Sequence, residues 1–321
     1  MRPMLFAFFY GMGAYAVSFL DGLLGLSAYL LLFAFLFGIP FGIGYTTARG
    51  LQRHDRTGAL LAPLVPLGAI LLALVMFGWE GWICIAMAAP LVLAGAFTGG
   101  LWGWMRRAVR GRREPFVTLT LPFLLMPVEA QLVPRDRAGA SQTSIDIAAP
   151  PARVWEEIAS VDSIRPEERA PALYTAIGFP APVAATLDRP GVGGVRIATF
   201  AWGIRFEETV TAWVPGRELA FAIRPDSIPD LPTLDPHVRI GGEHFDVLEG
   251  RYRIEPLADG RVRLHLESRH RVRTRFNAYA GAWADLVMGS VQRGILHVIR
   301  ARAEAPAAAT ARPSGPAVRT P

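Results

Sequence analysis

Lysine is absent from this chain of 321 residues, and cysteine occurs once. All 33 basic residues are therefore arginine, set against 27 acidic ones, for a formal net charge of +6 and a pI near 10.1. The rear part, roughly 140–304, holds 20 Arg and 21 Asp or Glu and is nearly neutral. The surplus positive charge lies at the flanks of apolar stretches and in the tails. No basic stripe with interleaved aromatics is present, which argues against a nucleic-acid partner. The single Cys84 excludes a disulfide framework or a thiolate metal site within one chain. It sits in an apolar run and reads as a small buried hydrophobe. A usage rich in Arg, Ala, Gly and Pro without Lys fits a GC-rich bacterial genome.

Charge is scarce in the first hundred or so residues. Four apolar stretches, 4–20, 23–46, 58–79 and 82–104, have the length of about 17–25 residues that suits a spanning helix. The first is followed almost at once by the second with no convincing cleavage site, so it is expected to be retained. Arg2, the group Arg49, Arg53 and Arg56, and the cluster Arg106, Arg107, Arg110, Arg112 and Arg113 alternate with Asp21 and Glu80 between the stretches. Arginine-rich loops stay cytoplasmic, which predicts a multi-pass inner-membrane protein with its N-terminus inside. The last cluster also suits anionic lipid headgroups, although a plain topology signal is the favoured reading. Trp79, Trp82, Trp102 and Trp104 fall at predicted span ends, where amphipathic rings prefer the interface. Gly95, Gly99 and Gly103, and again Gly38 and Gly42, recur every four residues, a spacing for close helix packing or a homo-oligomer through these faces. Asp21 and Glu80 read as loop residues, so the spans hold no convincing buried ionisable group and an ion pathway is not expected.

A fifth apolar segment, PFVTLTLPFLLMPV at 115–128, carries three prolines and precedes Glu129. Its 14 residues reach about 21 Å as a helix, against a bilayer core of about 30 Å. It is either a short fifth span or an interfacial stretch. The arginine cluster before it favours a crossing, and so an outer location for the rear part of the chain. The domains expected are a transmembrane region over 1–130, a soluble domain over 141–304, and a disordered Ala-, Pro-, Thr- and Arg-rich tail over 305–321.

The soluble domain opens with the alternating run QTSIDI at 142–147 and a helix starting at Pro150 and Pro151, with Val154, Trp155 and Ile158 on one face. An irregular stretch, 161–181, follows. Further strands are expected over 183–188, 194–201, 204–213, 217–224, 245–255 and 261–272. They are separated by turn signals at Gly191–Gly194, Trp202-Gly203, Pro215-Gly216 and Asp259-Gly260. No helix follows the Gly191 run, which argues against a phosphate loop. The final segment, 275–304, reads as a long helix through Phe276, Tyr279, Ala280, Trp283 and Val287.

IDIAAPPARVWEEIASVDSI, then GVGGVRIATF, then EETVTAWVPGRELAF and the aromatic-rich last helix resemble the SRPBCC superfamily, the START-like or polyketide-cyclase-like domains, over about 142–304. The whole chain is similar to bacterial multi-pass membrane proteins that carry such a domain. The resemblance implies an α+β helix-grip fold behind an α-helical transmembrane bundle. In that fold a curved antiparallel sheet wraps a long C-terminal helix around a cavity for hydrophobic ligands. Some members catalyse reactions and others only bind, and fold alone does not decide between them.

Strand alternation sorts the candidates by face. Ile204, Phe206, Glu208, Val210 and Ala212 share an inward face; Arg205, Glu207, Thr209, Thr211 and Trp213 share the other. On the last strand, Val262, Leu264, Leu266, Ser268, His270 and Val272 point inward. Glu208, Ser268 and His270 thus interrupt apolar faces, where a polar group must be paired or used on a ligand. Glu208 and His270 are the acid–base candidates. Ser268 and His270 are about 6.5–7 Å apart along the strand, too far for a nucleophile–base hydrogen bond in most rotamers. Phe206, Glu208, Phe221, Ser268, His270, Tyr279 and Trp283 are the ligand-binding candidates. Asp235, His237, Glu243 and His244 share a loop, but their spacing matches no common metal motif, and neither metal nor cofactor is expected. Three functions fit: a membrane-tethered binder of a lipid-like or polyaromatic molecule, a cyclase-, aromatase- or hydrolase-like enzyme, or a membrane assembly protein.

Overall fold

The computed structural model describes residues 2–23, 32–50, 56–106, 113–229 and 240–306. The chain divides into two compact units. The first takes in Met1–Arg137, Asp230–Phe245 and Arg271–Ala284; the second takes in Ala138–Pro229, Asp246–His270 and Asp285–Pro321.

The first unit contains α1 (Arg2–Leu23), a π-helical turn (Ala34–Gly38) running into α2 (Ile39–Gly50), α3 (Arg56–Leu61), α4 (Leu64–Met76), α5 (Trp82–Met105) and α6 (Arg113–Ala130). Pro40 follows the π turn by two residues. A residue with no N–H suits a point where the regular ladder is already interrupted. A Cβ at Gly95, Gly99 or Gly103 would collide with the carbonyl oxygen of Phe37, Phe41 or Tyr45. The close approach expected of the glycine spacing is thus made within the chain, and this face of α5 is covered by α2.

Two helical stretches are long and apolar enough to cross a membrane, Arg56–Met76 (α3 with α4) and Trp82–Met105; Phe116–Ala130 is shorter. The sequence pattern predicts four spans; among the described residues two helical stretches have the length and apolar composition of a span. Of the expected span 23–46, residues 24–31 lie outside the described residues, and the remainder is broken by the π turn. Arg53 and most of the arginine cluster after α5 also lie outside them. The segment 115–128 is helical throughout: α6 runs for 18 residues through Pro122 and Pro127, about 27 Å at 1.5 Å per residue. Polar contacts close the helix ends. Arg49 Nη1 donates to Tyr45 Oη at 2.8 Å and to the Arg106 carbonyl at 3.2 Å. The Glu129 carboxylate accepts from the backbone N–H groups of Phe33 and Ala34 at 2.7 and 2.9 Å.

The sheet has seven strands: β1 (Arg135–Ile147), β2 (Pro182–Leu187), β3 (Val195–Phe200), β4 (Arg205–Val214), β5 (Glu218–Ser227), β6 (Phe245–Pro256) and β7 (Val262–Thr274). Between β1 and β2 lie α7 (Pro151–Ala159), a 3-10 turn (Pro166–Glu168) and α8 (Leu173–Ala176), and α9 (Asn277–Ala303) follows β7. The spatial order is β1-β7-β6-β5-β4-β3-β2. Each strand from β2 on pairs with the next, and β1 closes beside β7. An antiparallel sheet with this order and one long C-terminal helix is a helix-grip fold.

Burial along β7 alternates as expected, with Val262, Leu264, Leu266, Ser268, His270 and Val272 inside. On β4 the alternation holds for Phe206, Glu208 and Val210 and then breaks. The register slips between Val210 and Ala212, so Trp213 pairs with the buried Leu219. The expected outward placing of Trp213 is corrected here. An extra residue at a bulge inverts every side chain beyond it, and Trp213 turns in to meet Trp155 edge-to-face at 4.9 Å. Core residues around it include Ile147, Val154, Ile158, Leu264, Leu296 and Ile299.

Glu168 ties the 3-10 turn to the end of α9. It accepts Arg302 Nε at 2.8 Å and Nη2 at 2.9 Å, and the Arg165 backbone N–H at 2.7 Å. The hydrogen bond from Arg302 leads in holding its pKa down to about 2, from an ordinary 4.5. A depressed carboxylate stabilises the fold above its unfolded pKa and loses that contribution as pH falls toward the folded one. Thermal unfolding of Glu168→Gln should therefore depend less on pH than the parent between about 4.5 and 2. Identical pH dependence in the two proteins would show that the Arg302 contact contributes nothing.

Candidate functional site

The hairpin of β3 and β4 turns at Trp202 and Gly203, both with positive φ (65° and 80°). A bulky residue in that region is uncommon. Counting outward from the turn sets Arg196 directly across from Glu208. Both are buried, with side chains 6% and 9% exposed, and they form a direct ion pair through Arg196 Nη1. Tyr252 on β6 lies close enough to the same guanidinium to interact with it electrostatically. Arg196 Cζ lies 5.4 Å from the centre of the Phe221 ring, within cation–π range. Gly250, paired with Phe221, leaves room for that ring, since a Cβ there would collide with it. A charged cluster thus crosses an apolar inner face from β3 to β6.

Electrostatics in the cluster are set by burial. Desolvation pushes the Glu208 carboxyl above its ordinary value, against the pull of Arg196. Burial opposes the charged guanidinium of Arg196, yet the adjacent Glu208 carboxylate holds its pKa above the usual value. Burial also raises the Tyr252 phenol. The guanidinium stays charged, while the carboxylate is poised between its partner and its apolar surroundings. Arg196 Nε has no hydrogen-bond partner among the described residues. A buried donor of this kind is costly unless something accepts from it.

A second polar group joins β1, β7 and α9. Gln292 donates through Nε2 to Ser268 Oγ at 3.0 Å and to the Ser141 carbonyl at 2.8 Å, and its Oε1 accepts from Thr143 Oγ1 at 2.8 Å. His270, 1% exposed, has Nε2 at 3.5 Å from Asp285 Oδ1, which also accepts from Ser141 Oγ at 3.2 Å. Gly139 makes room for the imidazole, because a Cβ there would strike Nε2.

The sequence-predicted residues therefore separate into groups. Glu208 and Phe221 meet at the Arg196 cluster, and Phe206 stacks edge-to-face on Phe200 at 5.5 Å. Ser268 and His270 belong to the Gln292 and Asp285 network. Glu208 and His270 are not brought together: β5 and β6 lie between their strands, three spacings of about 4.8 Å each along the sheet. Tyr279 is half-buried in the first unit, where its hydroxyl donates to the Met87 carbonyl and burial raises its pKa against the effect of the nearby Trp283. Asp235 and His237 lie outside the described residues, while His244 Nδ1 is 3.2 Å from the Arg273 carbonyl. No group of three or more metal-ligating side chains occurs among the described residues.

Sequence reasoning missed Arg196, Tyr252, Asp285 and Gln292. Val195 and Ile197 make the other face of β3 look like the buried one. The usable signal was the Trp202-Gly203 turn, where an equal count of six residues either way from Trp202 finds Arg196 and Glu208.

No protein-family model matches the chain, and no curated protein matches it. Among solved structures, the di-domain ARO/CYC BexL of the BE-7585A biosynthetic pathway aligns over 66% of this chain and 63% of its own, at 16% identity and a TM-score of 0.32. A protein from Chromobacterium violaceum aligns over 52% of this chain and 99% of its own, at 16% identity and a TM-score of 0.31. Truncated norcoclaurine synthase from Thalictrum flavum aligns over 53% and 94%, at 11% identity and a TM-score of 0.32. The strand order and closing helix described above, and not these alignments, carry the fold assignment.

Breaking the buried pair from one side strands a charge. Arg196→Met or Glu208→Gln alone should destabilise the protein by about 3–5 kcal/mol, and Arg196→Met with Glu208→Leu by much less than either. Denaturant unfolding of the three variants gives the comparison. A double variant as unstable as the sum of the singles would mean that the two groups act independently.

Proposed function

We propose that the chain is a membrane-tethered binding protein whose helix-grip domain takes a hydrophobic ligand bearing an oxygen acceptor. The observation that carries this reading is the Arg196–Glu208–Tyr252 cluster on a largely apolar inner face. A purely structural core gains more from apolar side chains of the same volume than from a buried ion pair. A ligand oxygen reaching Arg196 Nε would use the donor that the protein leaves unpaired. Phe206 and Phe221 supply apolar contact, and the Gln292 and Asp285 network keeps Ser268 and His270 in place beside α9. Few polar groups in an apolar enclosure is the usual make-up of a small-molecule site. The acid–base reading of Glu208 with His270 is left without support, because each is engaged elsewhere.

Tethering rests on Arg56–Met76 and Trp82–Met105 and on the alternation of arginine-rich and acidic loops. In the full reading, α1 and α2 add two spans and α6 adds a fifth. Within the first unit, Glu129 at the end of α6 meets Phe33 and Ala34, while Arg49 meets Arg106 at the other ends of α2 and α5. With the arginines inside, α6 ends outside, and the helix-grip domain lies on the outer face of a bacterial inner membrane.

Two experiments test this reading. Native mass spectrometry of the detergent-purified chain should find a co-purified lipid-sized mass. Arg196→Gln should weaken binding of an anionic naphthalene probe at least about tenfold, the loss expected of a charge-assisted hydrogen bond. No bound mass together with unchanged probe affinity would reject the binding function. Independently, alkaline phosphatase fused after residue 304 should be active and a fluorescent protein fused there dark; the reverse would place the domain inside.

A further inference from the structure

At the end of α6 and just beyond it, Val128, Leu132 and Val133 are exposed and apolar. Arginines follow at once. Arg135 and Arg137 open β1, Arg271 and Arg273 lie in the last turns of β7, and Arg275 comes directly after it. All of these residues belong to the first unit. Arg275 donates through Nε to the Leu132 carbonyl at 3.0 Å and through Nη2 to the Ala130 carbonyl at 2.9 Å. Arg137 Nη1 donates to the Asn277 carbonyl at 2.8 Å, and Asn277 Nδ2 donates to the Arg135 carbonyl at 2.7 Å. These bonds gather five arginines from two distant parts of the sequence into one band beside the exposed apolar end of α6.

The band is short of acid. Among the described residues, Asp136 alone is in ion-pair contact with any of the five, at 4.0 Å from Arg271 Nη1 and 3.8 Å from Arg273 Nε. Both distances are too long for a hydrogen bond. Glu129 is taken by the backbone N–H groups of Phe33 and Ala34. Arg137 and Arg275 bond to carbonyls, which accept hydrogen bonds but carry no net charge. Arg135 is exposed, and its side chain makes no hydrogen bond or ion pair among the described residues. The Nε atoms of Arg271 and Arg273 are buried without an acceptor. Cations gathered in this way repel one another, and an anion beside them relieves the repulsion. We infer that the band seats the phosphate of an anionic phospholipid, with the acyl chains against Val128, Leu132 and Val133. Guanidinium forks match phosphate oxygens two at a time. Basic side chains next to a membrane-embedded helix attract anionic headgroups, and the adjoining apolar side chains favour a lipid over a soluble phosphate. The inference rests on the membrane tethering proposed above and is independent of the Arg196 site.

The full chain in nanodiscs of equal phosphatidylglycerol and phosphatidylcholine is released into the gas phase, and native mass spectrometry counts the lipids it retains. Phosphatidylglycerol should be retained with a preference of at least about tenfold. Arg135→Gln with Arg273→Gln should remove most of that preference at an unchanged melting temperature. Should the double variant fail to fold, Arg135→Gln alone, at an exposed side chain, should still lower the preference by about threefold. Arg110→Gln with Arg112→Gln and Arg113→Gln, at the other end of α6, should leave it in place. Equal retention of the two lipids by the parent overturns the inference, as does a preference that survives in the band variants. A preference lost only in the Arg110 triple variant would put the headgroup at the other end of α6 and overturns it too. Displacement of phosphatidylglycerol by millimolar glycerol 3-phosphate would mean a site for soluble phosphate, against the lipid. Release of the chain from membranes by alkaline carbonate without detergent would reject the tethering and the inference together. A chain that stays in the membrane without lipid preference rejects the inference alone.

Discussion

Burial of one sheet face under α9 is the constraint on which the helix-grip domain depends. Each residue on that face must be apolar, paired, or compensated by something bound. Val210, Leu219, Leu264 and Leu266 meet the first condition, and Leu296 and Ile299 on α9 meet them from the other side. Ser268 and His270 meet the second through Gln292 and Asp285. Arg196 meets it only in part, because Glu208 and Tyr252 leave Nε unsatisfied. The proposed function follows from that remainder.

Much of this face is legible in the amino-acid sequence. The alternation on β7 forecasts all six inward residues, because the strand is regular and its neighbours impose no bulge. The same rule works on β4 up to Val210 and fails at Trp213, where one inserted residue reverses the pattern. No periodicity rule sees such a slip, which depends on how β4 meets β5. Arg196 is hidden for a different reason. Arginine on a strand whose other face carries Val195 and Ile197 reads as solvent-facing, and only cross-strand pairing with Glu208 reveals why it can be buried. The helix-grip order itself is carried by the turn signals, since glycine and proline punctuate the meander at each reversal.

The apolar front half is less completely legible. Hydropathy marks 23–46 as one stretch, but the π turn before Pro40 breaks its described part, and hydropathy carries no information about hydrogen-bond register. The glycines on α5 illustrate the opposite case. Their spacing forecasts a close approach, and the approach is made to α2 of the same chain. Glu80, expected as a loop residue between apolar helices, accepts a hydrogen bond from the Tyr15 hydroxyl at 3.0 Å.

The central claim is that a hydrophobic ligand contacts the inner face of the helix-grip domain at the Arg196 cluster. A photoactivatable alkyl-diazirine ketone, cross-linked to the full chain and mapped by peptide mass spectrometry, tests this most directly. The account predicts adducts on β3 to β6 around Arg196, Glu208, Phe221 and Tyr252, and their loss in Arg196→Gln. Adducts confined to outward residues such as Arg205 or Thr211, or to the apolar helices alone, would contradict it.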